Sequence, residues 1–136
     1  MADTPTDLLQ NVPLFSDMKG KDLKRLGQAM HEKRVGAGEA ITEEGKKGVG
    51  FFVIESGTAR VTVNGEEKRT LGPGDYFGEI GLVADMDRTA TITAETELRC
   101  FGMTSWDFRP LVESNASIAW KMLQVMAQRL KEAEAR

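Results

Sequence analysis

The spacing of apolar positions changes character twice along the chain, from helical to strand-like and back. Residues Asp7 to Phe15 carry Leu8, Leu9 and Val12 at helical intervals, and Pro13 predicts the end of that run. Leu23, Leu26 and Met30, with Ala29, predict a second amphipathic helix over roughly 21–32. From Val35 to Gly102 glycine becomes frequent, and short β-branched or aromatic stretches alternate with turn signals. Phe51-Phe52-Val53-Ile54 is an apolar run of strand length. Ala59, Val61 and Val63 then alternate with Arg60 and Thr62, which predicts a strand with one buried face and one wet face. Asn64-Gly65 suits a type I′ hairpin turn, because both central positions need positive φ. Glu66 to Leu71 reads as the returning strand, closed by Gly72-Pro73-Gly74-Asp75, and a later strand pair is predicted at 89–94 and 98–103. Many short strands with frequent turns predict a sandwich or roll.

Helical spacing returns in the last third. Thr104 and Asp107 have the spacing of a capping box. Pro110 predicts a short or kinked helix there, and Ser114-Asn115 offers a cap for a long helix over 116–134. Along it Ala119, Met122, Leu123, Met126, Leu130 and Ala133 form a stripe, widened by Trp120, Val125 and Ala127. A helix of about 20 residues extends about 30 Å, longer than one small roll covers. The expectation is a helix that acts both as a lid and as a dimer contact.

Composition narrows the choice of function. The 136 residues suit one domain, with 18 Lys plus Arg against 21 Asp plus Glu and a net charge of -3. This balance argues against generic nucleic-acid binding, which needs a basic surface to displace counterions. One Cys and one His cannot build a disulfide or a structural zinc site. The N-terminal residues lack a basic n-region and an apolar h-region, and no apolar run reaches membrane length. The expected setting is cytoplasmic, with no membrane partner.

Several apparent motifs fall away. Gly48-x-Gly50 lacks a third glycine and enters a strand where a dinucleotide fingerprint opens a helix. Gly45-Lys46-Lys47-Gly48 lacks P-loop spacing, and Asn115-Ala116-Ser117 fits a glycosylation sequon of the kind that arises by chance. His31 reads as a surface or dipole-capping residue, and Cys100 as a small buried hydrophobe. No Ser–His–Asp or Cys–His arrangement is available.

Residues 74–91 are different. Gly78 and Gly81 let backbone N–H groups approach a ligand closely. A helical turn over 80–84 would present free N–H groups and a positive dipole end to an oxyanion. Arg88 supplies a permanent cationic fork for two phosphate oxygens, with Thr89 beside it. Glu79 can accept from a sugar hydroxyl. The alternative is a glycine-rich turn carrying a surface Glu–Arg pair.

The stretch Phe77-Gly78-Glu79-Ile80-Gly81-Leu82 followed by Arg88-Thr89-Ala90 resembles the phosphate-binding cassette of cyclic nucleotide-binding domains. Residues 35–45 are similar to that family's early roll motif, and Phe51 to Gly57 with Val61 to its central strand and turn. The resemblance implies a mainly β, cupin-like double-stranded β-roll (a jelly roll) flanked by helices. It divides the chain into N-terminal helices over 1–34, a roll over 35–103 with the cassette at 77–90, and C-terminal helices over 104–136. Glu79 falls on the ribose 2′-hydroxyl ligand and Arg88 on the phosphate ligand. Gly78, Gly81 and Thr89 fall on backbone N–H contacts, with Ile80 and Ala90 inside the same cassette. Val61 and Leu71 fall on the apolar base wall, and Leu82 on the contact that relays occupancy to the C-terminal helices.

The function so implied is a non-enzymatic sensor of a cyclic nucleotide, cAMP or alternatively cGMP. It would signal to an unidentified effector protein, with no cofactor, metal or nucleic acid, and with a homodimer contact on the C-terminal helix. The sequence reaches Arg136 without a helix-turn-helix, which reads as a stand-alone module or a piece of something longer. Two other classes compete. A cupin-type metalloenzyme would need more histidines, and a roll that has lost its ligand would serve only as a scaffold.

Overall fold

The fold is described from a computed structural model, over residues 5–16, 18–43, 45, 50–82 and 90–135, with the side chains of residues 79 and 80 excluded. Helix α1 (Pro5–Leu9) and a 3₁₀ turn (Pro13–Phe15) lead to α2 (Gly20–Gln28). Eight strands follow: β1 (His31–Val35), β2 (Ala40–Thr42), β3 (Gly50–Ser56), β4 (Ala59–Val63), β5 (Glu66–Leu71), β6 (Tyr76–Phe77), β7 (Thr91–Ala94) and β8 (Leu98–Thr104). A second 3₁₀ turn (Glu79–Leu82) lies between β6 and β7, and α3 (Ser105–Ser114) and α4 (Ala116–Glu134) complete the order. The strands form two four-stranded sheets, ordered β1-β8-β3-β6 and β2-β7-β4-β5, with every pairing antiparallel. This is a double-stranded β-roll flanked by helices.

Alternation along β3 and β8 divides the interior in two, because successive side chains of a strand point to opposite faces. Phe51, Val53, Phe101 and Met103 join a cluster with Leu8, Leu9, Phe15, Leu26, Phe108, Ile118 and other helix residues. Ile54, Leu98 and Cys100 face the other way and meet Ala59, Val61, Leu71, Ile92 and Ala94 between the sheets. The hairpin between β4 and β5 turns at Asn64 and Gly65, with φ of 53° and 78°, as a type I′ turn requires. Gly57 is required by space and conformation together: its φ is +92°, and a Cβ there would lie 2.3 Å from the Glu97 carbonyl oxygen. At Gly102 a Cβ would lie 2.5 Å from the Phe52 ring, so the missing side chain makes room for that ring.

Four local expectations change. Pro13 opens a 3₁₀ turn instead of only ending a helix, since its fixed φ suits a first helical position. The second helix stops at Gln28, and His31 and Glu32 belong to a strand paired with Gly102 and Phe101. Mostly charged residues fill β1, so it shows no apolar alternation to read. Pro110 sits inside an unbroken α3 on its exposed side, where water can satisfy the Trp106 carbonyl that its missing N–H would have met. The expected turn over 80–84 is a 3₁₀ turn at Glu79–Leu82, and residues 83 and 84 lie outside the described residues. Among the described residues no helix is long and apolar enough to cross a membrane.

Candidate ligand site at the roll end

The site begins with how β6 is held. Gly74 donates to the Ile54 carbonyl and Ile54 donates to the Asp75 carbonyl, both at 2.8 Å, so the turn before β6 is fastened to β3. The Asp75 carboxylate accepts from Gly72 N at 2.7 Å and closes the same turn. Strand β6 then sets Tyr76 and Phe77 opposite Val53 and Phe52. Gly78 follows with φ of +84°, a conformation that costs glycine no steric penalty. The chain bends into the turn Glu79–Leu82, where Gly81 N donates to the Gly78 carbonyl at 3.0 Å. Early N–H groups of such a turn lack partners within it and are available to an acceptor.

The expected base wall lies between the sheets. Val61 and Leu71 are both buried there, and Ala90 packs half-buried against the same cluster. Phe52 and Phe77 stack with ring centroids 5.4 Å apart, and Lys33 Nζ stands 5.5 Å from the Phe52 centroid. Leu82 turns the other way. It is buried among the helix-side residues that include Phe108, Ile118 and Met122. The turn thus touches the roll through its backbone and the C-terminal helices through Leu82. Gly78 and Gly81 lie at the turn after β6, Leu82 on its helix side, and Val61, Leu71 and Ala90 in the cluster between the sheets. Arg88 and Thr89 lie outside the described residues, as do the side chains of Glu79 and Ile80.

Sequence reading missed Arg69. It pairs directly with Val61 across β4 and β5, so it shares the inward face with Val61 and Leu71. Strand β5 is an edge strand, and Arg69 there is exposed and makes no ion pair with another described residue. The alternation that turns Leu71 inward turns Arg69 inward too, and the pairing shifts by one residue only beyond Val61.

Other charged groups belong elsewhere. Arg99 Nη2 donates to Glu32 at 3.1 Å, Nη1 donates to Glu55, and the guanidinium lies 5.2 Å from the Phe101 ring centroid. Its Nε is 3.0 Å from Glu32 but off the hydrogen-bond direction. Hydrogen bonds from Arg99 and then Arg34 hold Glu32 down at about 2, and the bond to Glu32 raises the Arg99 pKa in turn. This network occupies the face of β1, β3 and β8 opposite the roll interior. Cys100 is buried, donates to the Lys33 carbonyl and is pushed up to about 11 by desolvation, so it is no nucleophile. His31 is a surface residue, 3.5 Å from the Asp107 carboxylate. Among the described residues no cluster of three His, Cys, Asp or Glu side chains suits a metal.

Residues 32–115 match the model of the cyclic nucleotide-binding domain, and the chain belongs to that family. It is 42% identical over 93 residues to a cAMP-dependent protein kinase regulatory subunit of Yarrowia lipolytica, covering 67% of this chain and 25% of the relative. A cGMP-dependent protein kinase of Drosophila melanogaster is 38% identical over 97 residues, covering 67% of this chain and 10% of the relative. Among solved structures, the N-terminal domain of a transcriptional regulator from Streptomyces coelicolor superposes with a TM-score of 0.89 at 25% identity, covering 95% of this chain and 94% of that one. The regulatory domain of Toxoplasma gondii protein kinase A, crystallised with cAMP, gives 0.72 at 29% identity, covering 84% and 45%. The chain spans about a quarter of the length of the Yarrowia relative.

Proposed function

We propose that this chain is a non-enzymatic cAMP sensor that signals by repositioning its C-terminal helices. The observation that carries this reading is the double attachment of the turn Glu79–Leu82. It follows β6, which pairs with β3 of the roll, while Leu82 is buried with Phe108, Ile118 and Met122 of α3 and α4. A ligand that tightens the turn therefore moves a side chain already packed against the signalling helices.

In this account Arg88 pairs with the cyclic phosphate, and Glu79 accepts from the ribose 2′-hydroxyl. Gly78 and Thr89 donate backbone N–H groups, the Gly81 N–H being held by the Gly78 carbonyl, and Val61 and Leu71 face the base. The effector is a separate protein, as the kinase regulatory subunits among its relatives suggest. Trp120, Leu123 and Leu130 are exposed on α4 and offer a homodimer contact. A thermal-shift titration with cAMP, cGMP and non-cyclic AMP tests the reading. A ligand specific for the folded state adds about 2.7 kcal/mol of stability at a hundred times its Kd. The midpoint should rise with cAMP and stay put with AMP. No rise with either cyclic nucleotide contradicts the proposal.

Arg69 favours cGMP as a second reading. Guanine presents two acceptors, N7 and O6, on one edge, and an arginine fork satisfies both. Adenine places a donor where guanine has O6, so the same fork gains less. Competition binding separates the two readings: cGMP displacing cAMP at lower concentration, with the advantage lost in Arg69→Ala, supports the second. Tighter cAMP binding that is unaffected by Arg69→Ala supports the first.

A further inference from the structure

Helices α3 and α4 are joined by one non-helical residue, Asn115, with φ of −136° and ψ of 81°. Asparagine is among the best residues for capping a helix N-terminus, where its side-chain oxygen accepts from the second or third N–H group. Asn115 is the N-cap residue of α4, yet its side chain makes no such bond. Its Oδ1 accepts instead from Arg25 Nη1 of α2, and its Nδ2 donates to the Leu111 carbonyl of α3 at 2.8 Å. Two residues further on, Ser117 Oγ donates to Asp22 Oδ2 at 2.7 Å. Asp22 and Arg25 are three positions apart, hence neighbours on one face of α2. That face thus grips both sides of the bend.

The grip is polar and accessible. Arg25 and Ser117 are exposed, Asp22 and Asn115 half-buried. Water can replace each of these bonds, and the Asn115 oxygen released from Arg25 has the α4 N–H groups within the same few residues. In the arrangement seen, that oxygen bonds Arg25 and no α4 N–H group. In the same arrangement, Ile118 and Met122 of α4 are buried with the N-terminal helices and α3, and no α4 residue joins the cluster between the sheets.

We infer that Asn115 is a two-position latch. Bound to Arg25, with Ser117 on Asp22, it holds α4 against the N-terminal helices. Released, it caps α4 and frees that helix to move toward an occupied roll. This inference rests on the receptor reading, in which bound nucleotide repositions α4. The latched state is then the weak-binding one, because affinity falls in proportion to the population competent to bind.

The test compares the full chain with Arg25→Leu, Arg25→Lys and Asn115→Ala, by amide hydrogen exchange and by cAMP titration. In Arg25→Leu the freed Asn115 caps α4, so exchange at Ser117 should slow by about three- to tenfold, the Ile118 N–H already being held by the Asn115 carbonyl. The same variant should bind cAMP about fivefold more tightly, the latch no longer competing with the bound arrangement. Arg25→Lys keeps a donor and should resemble the unsubstituted chain. In Asn115→Ala the Ser117 amide does not slow, and adding Arg25→Leu changes nothing more at that helix start. Unchanged exchange in Arg25→Leu overturns the latch, and slowed exchange with unchanged affinity overturns its regulatory role. If the unsubstituted chain binds no cyclic nucleotide, the receptor reading fails while exchange still decides the two positions of Asn115.

Discussion

The two faces of the β1-β8-β3-β6 sheet are built for different tasks. Against the helices, Phe51 packs edge-on to Phe15 with centroids 5.6 Å apart, and Phe15 lies 6.5 Å from Phe108. Leucines and methionines from α1, α2, α4 and both 3₁₀ turns fill the space around them. Between the sheets the buried side chains are smaller, with Ala59, Ala94, Cys100, Val35 and Val61 among them, and Phe52 and Ala90 remain half-buried beside them. The difference teaches where stability and recognition reside. Large interlocking side chains hold the helices to the sheet, while smaller ones fill the roll, where the proposed ligand would bind.

The largest effect should come from breaking the helix-side packing. Phe51→Ala removes a fully buried ring that touches Phe15, and phenylalanine-to-alanine changes in cores cost about 3–5 kcal/mol. Urea denaturation should show that loss, with nucleotide affinity of the remaining folded protein nearly unchanged. A loss below about 1 kcal/mol would mean that this cluster does not hold the fold together.

A smaller effect, confined to recognition, is expected at the roll end. Glu79→Ala should weaken binding by about 1.5–3 kcal/mol, the worth of a hydrogen bond to a charged group. It should also erase discrimination against a 2′-deoxy cyclic nucleotide, with the unfolding midpoint unmoved. A variant that still favours the ribose form as strongly would show that Glu79 does not read the sugar.

The smallest effect is electrostatic and belongs to neither cluster. Glu32 is held at about 2, below the ordinary carboxylate value of 4.5, by its bonds to Arg99 and Arg34. A depressed folded-state pKa contributes stability that is complete above the ordinary value and disappears as the pH falls from about 4.5 toward 2. Glu32 is partly exposed, so solvent screening keeps the contribution small. Glu32→Gln should therefore flatten the acid limb of the stability profile and leave nucleotide binding alone. An unchanged acid limb would mean that the pairs do not persist in solution.

How far the sequence spoke depended on the kind of signal each element carries. Alternation at Ala59, Val61 and Val63 and the Asn64-Gly65 turn are local, and the β4–β5 hairpin follows from them. The capping box is equally local: Thr104 and Asp107 bond reciprocally, with Asp107 N donating to Thr104 Oγ1 at 3.2 Å. Strand β1 was illegible because its pairing with β8 is non-local and its residues are mostly charged. Residue Ile118, fully buried, was overlooked in favour of a stripe whose Leu123 and Leu130 prove exposed. Helical spacing alone gives a face but not its neighbour. At the site, Gly78 and the turn were legible as glycine placement, and Leu82 through family resemblance. Arg69 follows from Leu71 by the same alternation, and the register adds its pairing with Val61.

The central claim is that the roll end binds a cyclic nucleotide through an ion pair with Arg88. Isothermal titration of the unsubstituted chain and of Arg88→Leu with cAMP tests it most directly. A cyclic phosphate keeps its negative charge at neutral pH, and losing one partner of a buried ion pair costs about 3–5 kcal/mol. Arg88→Leu should keep the unfolding midpoint and lose affinity by about a hundredfold to several-thousandfold. Near-equal affinities in the two proteins would contradict the account.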